Sequence, residues 1–187
     1  MEFYSDIGEN AYTMIVVYIL VGLIVLLLLI AAAVGTEWKF EKSILIQASM
    51  DKVWPHINTF KASSEWSPWI GLDPNIRQQF SGEDGTPGAT YSWESNEKNV
   101  GAGSQIMRSI TERSEVVSQI NFLRPVKGKA DGYIRIAPEG GGTRAVWGIA
   151  SATPYPMNII KLFGVIEKNL DRDFGKGLTK LKELSER

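Results

Sequence analysis

The stretch MNIIKLFGVIEKNLDRDFGKGLTKLKELS, Met157–Ser185, decides the fold of this chain. Its apolar residues Phe163, Ile166, Leu170, Phe174, Leu178, Leu181 and Leu184 recur every three or four positions. That period lays them along one face of an α-helix. Lys168, Arg172, Asp173, Lys176, Lys180 and Lys182 fall away from the stripe, so we read one long amphipathic helix over Met157–Ser185. Gly175 and Gly177 interrupt it, each at a propensity cost of about 1 kcal/mol relative to alanine. They mark either a local kink or a place where a strand or ligand comes close.

A helix with one apolar stripe needs a surface to cover it, and the preceding residues supply strands. Lys39–Ala48 alternates, with Phe40, Ile44 and Ile46 on one side. Ser49 then caps a helix starting near Met50, with Asp51 in its first turn and Val53, Trp54 and Ile57 on its buried face. A second short helix is expected over Ser63–Trp69, followed by a turn at Gly71, Asp73 and Pro74. Further strands are predicted at Ile76–Phe80, Ala89–Glu94, Ser104–Thr111, Glu115–Leu123, Ala130–Ala137 and Thr143–Ala152. The glycines and prolines between them are turn signals, so the pattern is a curved antiparallel meander.

At the other end lies TMIVVYILVGLIVLLLLIAAAV, Thr13–Val34, in a stretch without a charged residue from Ala11 to Thr36. At 1.5 Å per residue this run makes a helix of roughly 33 Å, enough to cross a hydrocarbon core. It reads as a single transmembrane helix, 13–34, after a short tail, 1–12, and before one domain, 37–187. A cleavable signal peptide is the rival, and Ala31 and Ala33 offer a cleavage pattern. Against it stand the length of the run and a leading segment with Glu2, Asp6 and Glu9 but no Lys or Arg. Lys39, Lys42 and Lys52 follow the span, so the positive-inside rule places the N-terminus outside and the domain in the cytoplasm.

All 20 basic residues lie after the span, against 18 acidic ones there, a formal balance of +2. That balance argues against nucleic acid, which normally demands a clustered basic face. With no cysteine and only His56, Cys–His catalysis and a multi-histidine metal site are excluded. No G-x-S-x-G elbow surrounds a serine, and the glycine clusters do not join a strand to a helix as a phosphate cradle would. Acid–base work would fall to Asp73, Glu94 or Glu112, of which Asp73 in Leu-Asp-Pro-Asn reads as a turn former. No cofactor and no metal are expected, and the balance leans away from an enzyme.

Several pieces, in order, resemble one superfamily. They are Ile44-x-Ile46-x-Ala48 leading into Val53-Trp54-Pro55-His56-Ile57, Trp66-Ser67-Pro68-Trp69 with Leu72-Asp73-Pro74-Asn75, and Pro87-Gly88-Ala89-Thr90-Tyr91-Ser92-Trp93. Gly101-x-Gly103-Ser104, Phe122-Leu123-x-Pro125, Gly142-Thr143-Arg144-Ala145-Val146-Trp147 and Gly175-x-Gly177-Leu178-x-x-Leu181-Lys182 continue the series. The chain from Glu37 resembles the SRPBCC, or START-like, superfamily, and within it the polyketide cyclase/dehydrase and lipid transport group. The resemblance implies an α+β helix-grip (START/Bet v 1-like) fold, a curved antiparallel sheet wrapped around the long C-terminal helix.

It also implies an apolar cavity between sheet and helix. Tyr91, Trp93, Met107, Trp147 and Ile149 are its expected wall, with Trp66 and Trp69 near a mouth and Phe163, Ile166 and Leu170 on the helix. Gln105 and Asn121 are expected to orient a ligand's polar group. Taken singly, each of these reads first as core packing; as a set they read as a cavity. The implied function is membrane-tethered binding or transport of a hydrophobic small molecule of lipid, isoprenoid or polyketide type. The alternatives are a cyclase or hydrolase on a similar compound, and a protein-interaction module with a collapsed cavity. The partners expected are that ligand and the membrane, and the oligomeric state stays open.

Overall fold

The computed structural model describes residues 2–187, with side chains from Tyr12 onward. Helix α1, Glu2–Ala33, is followed by β1 (Glu37–Ile46). The short helices α2 (Met50–Val53) and α3 (Phe60–Ser64) come next, with single 3₁₀ turns at Trp54–His56 and Ile70–Leu72. Six strands then follow: β2 (Arg77–Ser81), β3 (Thr90–Glu94), β4 (Ala102–Thr111), β5 (Glu115–Arg124), β6 (Gly128–Glu139) and β7 (Gly142–Ala152). A 3₁₀ segment, Met157–Phe163, leads to α4, Val165–Ser185. The chain divides into two compact units, one of residues 1–36 with 153–164, the other of residues 37–152 with 165–187.

In the larger unit all seven strands form one antiparallel sheet, ordered β1-β7-β6-β5-β4-β3-β2. Every predicted strand is present within two residues of its expected ends. Between β4 and β5 the register shifts at Ala102/Gly103 and again at Met107/Ser109. Such bulges bend a strand and raise its twist, which is how the sheet curves enough to hold a helix on one face.

Helix α4 lies on that face. Phe174, Leu178 and Leu181 are almost wholly buried, as the stripe requires. The Phe174 ring stacks on Trp147 with centroids 4.0 Å apart and meets the edge of Phe40 at 5.5 Å. Trp147 in turn takes Trp66 and Trp69 edge-on at 4.9 and 5.6 Å. The helix runs unbroken through both its glycines. At Gly177 a Cβ would stand 2.7 Å from Trp147 Cζ3, so this glycine is where the helix backbone meets the sheet. At Gly175 a Cβ would meet only the end of the Lys42 side chain, at 3.3 Å.

Two helix expectations are corrected. The second short helix is Phe60–Ser64, not Ser63–Trp69, because Thr59 caps it: its side chain accepts from the Ala62 N–H at 3.1 Å. The long helix begins at Val165, not Met157, because Gly164 adopts a left-handed conformation, φ 60°, and closes the 3₁₀ segment before it. Ser49 does precede α2, but its carbonyl, not its hydroxyl, takes the first helical N–H groups.

In the smaller unit, Tyr12–Ala33 is a 22-residue apolar span whose side chains are exposed except at half-buried Ile30 and buried Ala31. By length and composition it suits a bilayer crossing or a signal sequence.

The two glycines predict different outcomes. Gly177→Ala drives a methyl into the Trp147 ring and is expected to destabilise the protein by about 1–3 kcal/mol. Gly175→Ala asks only the Lys42 end, paired with Asp171, to give by a few tenths of an ångström, and is expected to leave stability unchanged or raise it by at most about 1 kcal/mol of helix propensity. Thermal unfolding of the two full-length variants in the same detergent reads the difference; a Gly177→Ala variant as stable as wild type overturns the close-approach role.

Candidate functional site

Between the sheet and α4 lies a cavity of about 350 Å³. Alternation along the strands decides which side chains reach it. From β3 come Tyr91 and Trp93, from β4 Gln105 and Met107, from β7 Trp147 and Ile149. Strand β5 contributes Val116, Ser118, Ile120 and Phe122, and β6 contributes Ile134. Phe60, Trp66 and Trp69 close one side and Leu170 and Phe174 of α4 the other. The exposed lining residues Asn99, Arg124, Pro125 and Asn169 mark where it opens.

The walls are mostly aromatic and brace one another. Tyr91 stacks on Phe80 at 5.0 Å and on Trp93 at 5.7 Å, and Trp93 meets Phe122 edge-on at 6.2 Å. Trp93 lies over Gly103, where a Cβ would fall 2.5 Å from its ring. Its indole N–H donates to the Val100 carbonyl at 3.3 Å, and that of Trp66 donates to the His56 carbonyl at 2.8 Å. These two polar edges are thus spent on the scaffold and the ring faces are left for the cavity.

Few polar groups interrupt the apolar lining. On the sheet side the Ser118 hydroxyl donates to Gln105 Oε1 at 3.2 Å. The Tyr91 hydroxyl donates to Gln78 Oε1 at 3.2 Å. Burial pushes the Tyr91 phenol up to about 12, so at neutral pH it is a hydrogen-bond donor and not a base. Tyr133, between Gly132 and Ile134 on β6, turns its ring to the opposite face of the sheet over Gly148, where burial holds its phenol above the usual range and its hydroxyl donates to Glu41 at 2.8 Å. The charged groups at the opening are paired: Arg124 with Glu94 at 3.2 Å, Asp173 with Arg172 at 2.8 Å.

Of the twelve residues proposed from sequence, nine line this cavity: Trp66, Trp69, Tyr91, Trp93, Gln105, Met107, Trp147, Ile149 and Leu170. Three do not. Asn121 sits between Ile120 and Phe122 on β5, so strand alternation turns it to the other face of the sheet. Phe163 belongs to the 3₁₀ segment ended by Gly164 and is 72% exposed. Ile166 is half-buried one turn before Leu170 and outside the lining.

Sequence reasoning missed Phe60, which the misplaced α3 hid. It also missed Val116, Ser118, Ile120 and Phe122, although their even spacing was legible once Asn121 was discarded. The three carboxylates considered for acid–base work do not enter the cavity lining. Asp73 is buried and holds a turn, accepting from Asn75 N–H at 2.8 Å and from the Ser95 hydroxyl at 2.5 Å. Glu94 is exposed and paired with Arg77 and Arg124, and Glu112 is exposed. Among the described residues no group of three or more His, Asp or Glu side chains is placed to hold a metal ion.

A curved sheet closed over one long helix around an apolar cavity defines a helix-grip, Bet v 1-like protein. The chain belongs to the family described as polyketide cyclase / dehydrase and lipid transport, whose model matches residues 37–186. Solved structures agree on the fold. Ara h 8.0201 is 14% identical with a TM-score of 0.56, over 80% of this chain and 97% of its own. A protein of Chromobacterium violaceum is 15% identical with a TM-score of 0.57, over 80% and 99%. The di-domain ARO/CYC StfQ of the steffimycin biosynthetic pathway is 11% identical with a TM-score of 0.60, over 81% of this chain and 51% of that one. No curated protein matches the chain.

The buried phenol gives an alkaline signature. A group whose pKa is raised on folding stabilises the folded state against the unfolded one only until the folded group itself ionises. Below pH 10 both states hold the Tyr91 proton; between 10 and about 12 only the folded state does, so stability falls across that window. Tyrosinate absorbance of the wild type should therefore show a late-titrating phenol near 12 that is missing from Tyr91→Phe. A titration identical in the two proteins overturns the buried placement.

Proposed function

We propose that this protein is a membrane-tethered binder or carrier of a hydrophobic small molecule, held in the cavity between the sheet and α4. The single observation that carries the reading is the cavity itself: about 350 Å³, walled by braced aromatic and aliphatic side chains with a few polar handles. That is the general character of a small-molecule site, at the small end of the usual range. Burial of apolar ligand surface stabilises the complex by about 25 cal/mol per Å² before ordering costs are subtracted. The Gln105–Ser118 pair, not Asn121, would orient the ligand's polar end. A lipid-, isoprenoid- or polyketide-like compound fits this chemistry.

The span Tyr12–Ala33 supports the tether. Holding the cavity beside a bilayer raises the local concentration of membrane-soluble ligands without any new contact. The three lysines that follow the span favour a cytoplasmic domain.

Leu170 tests the cavity with little risk to the core, since it lines the space from a half-buried helix position. Full-length protein held in amphipol is expected to release a lipophilic compound into organic extract, read by mass spectrometry, and to bind anilinonaphthalene sulfonate. Leu170→Trp fills the space and should weaken binding of that probe at least tenfold, about 1.4 kcal/mol. Absence of both an extracted lipophile and probe binding in the wild type refutes the carrier reading.

A further inference from the structure

The segment joining β7 to α4 has no role in the cavity, yet it is tied to the end of the apolar span. Asn158 is only 1% exposed, and its side-chain amide donates to the carbonyls of Ala31, at 2.7 Å, and Val34, at 2.6 Å. Lys161 Nζ donates to the Gly35 carbonyl at 2.6 Å, and Thr153 N–H to the Thr36 carbonyl at 2.9 Å. The last carbonyls of a helix have no partner within it. Here the segment 153–164 supplies a partner for Ala31, in the last turn, and for the three residues that follow the helix, Val34, Gly35 and Thr36, so its depth is fixed by the place where α1 ends.

What the segment then turns outward is apolar. Tyr155, Met157, Leu162 and Phe163 are 52, 63, 58 and 72% exposed, and Ile160 joins them at 37%. From Thr153 to Ile166 there is no acidic residue, and Lys161 is the single charge. Large exposed apolar side chains gathered in a dozen residues call for a covering partner. Lipid is the partner this composition suits: an aromatic phenol, long aliphatics, one lysine whose ammonium is held by the Gly35 carbonyl, and no carboxylate to desolvate. Position says the same, because the hydrogen bonds place the segment where the span leaves the hydrocarbon.

We propose that Tyr155–Phe163 forms a second membrane contact, an interfacial collar locked by Asn158 to the end of the span and inserted at the headgroup–acyl boundary of the bilayer. This rests on the reading of α1 as a membrane span, and the test separates the two.

The chain has no cysteine, so single cysteines can be introduced without background. Leu23→Cys reports the span, Phe163→Cys and Leu162→Cys report the collar, and Glu83→Cys, exposed in the β2–β3 connection, reports water. Each full-length variant is labelled with a nitrobenzoxadiazole probe and reconstituted in phosphatidylcholine–phosphatidylglycerol vesicles. Quenching by spin labels at shallow and deep acyl positions is compared with quenching by iodide.

The expected result is a deep Leu23 probe and an aqueous Glu83 probe. Both collar probes should lie about 5–10 Å into the boundary region, blue-shifted and shielded from iodide. Asn158→Ala should return the collar probes towards water while leaving the Leu23 probe deep. Collar probes as iodide-accessible as Glu83, with Leu23 still deep, overturn the collar and leave the anchor standing. An aqueous Leu23 probe overturns both.

Discussion

The stack of Trp147 on Phe174 is the contact on which the larger unit depends. Trp147 projects from β7, next to the edge strand β1, and touches α4 twice: ring to ring with Phe174, and ring to backbone at Gly177. Its edges receive Trp66 and Trp69, so one side chain fixes the helix, the connection after α3 and the sheet together. Aromatic pairs in these geometries contribute about 0.5–1.5 kcal/mol beyond their buried area. The close approach at Gly177 sets how near the helix lies at one end. Further along, Leu170 and Phe174 stand off from β3–β5, and the cavity opens there.

A space of this kind persists because the groups around it are stiff and already engaged. Tyr91, Trp93 and Phe122 cannot swing inward without breaking contacts with Phe80, with each other and, for Trp93, with the Val100 carbonyl. Flexible aliphatics would collapse into such a gap; interlocked rings resist. The same stiffness bears on chemistry. The lining phenol Tyr91 stays protonated, and Arg124 and Asp173 face the opening already neutralised by Glu94 and Arg172. These groups orient and exclude water more readily than they transfer protons.

Most of this was legible in the sequence because the relevant signals are periodic. Alternation located all seven strands, and the three-to-four spacing located α4 and its buried face. What escaped depended on single residues that override a period. Gly164 cuts the apolar pattern at a left-handed turn, so Phe163 looked like a helix position and is not one. Thr59 moved α3 forward by three residues and hid Phe60. Asn121 looked like a polar handle because amides suit that task, while the parity of β5 puts Ser118, and not Asn121, in the cavity lining. The Gly177 approach to Trp147 links residues 30 positions apart in sequence, and no local pattern reveals such a pairing.

The break at Gly164 also reassigns the apolar residues before it. Continued as helix, Phe163 would share the face of Leu170 and Ile160 would flank it, lengthening the grip on the sheet. Cut off by Gly164, they have no core to enter, and their exposure is the physical consequence. Asn158 resolves the position of the segment by pairing with the carbonyls that α1 leaves open. The Asn158 NH2 gives one hydrogen to each of the Ala31 and Val34 carbonyls, a costly arrangement to lose, since both acceptors would be stranded. Hence the span and the segment 153–164 form one compact unit although some 120 residues of chain separate them. The apolar span therefore ends in a structured cap as well as a covalent link to the sheet, and the cap's outward face has the composition of a bilayer boundary.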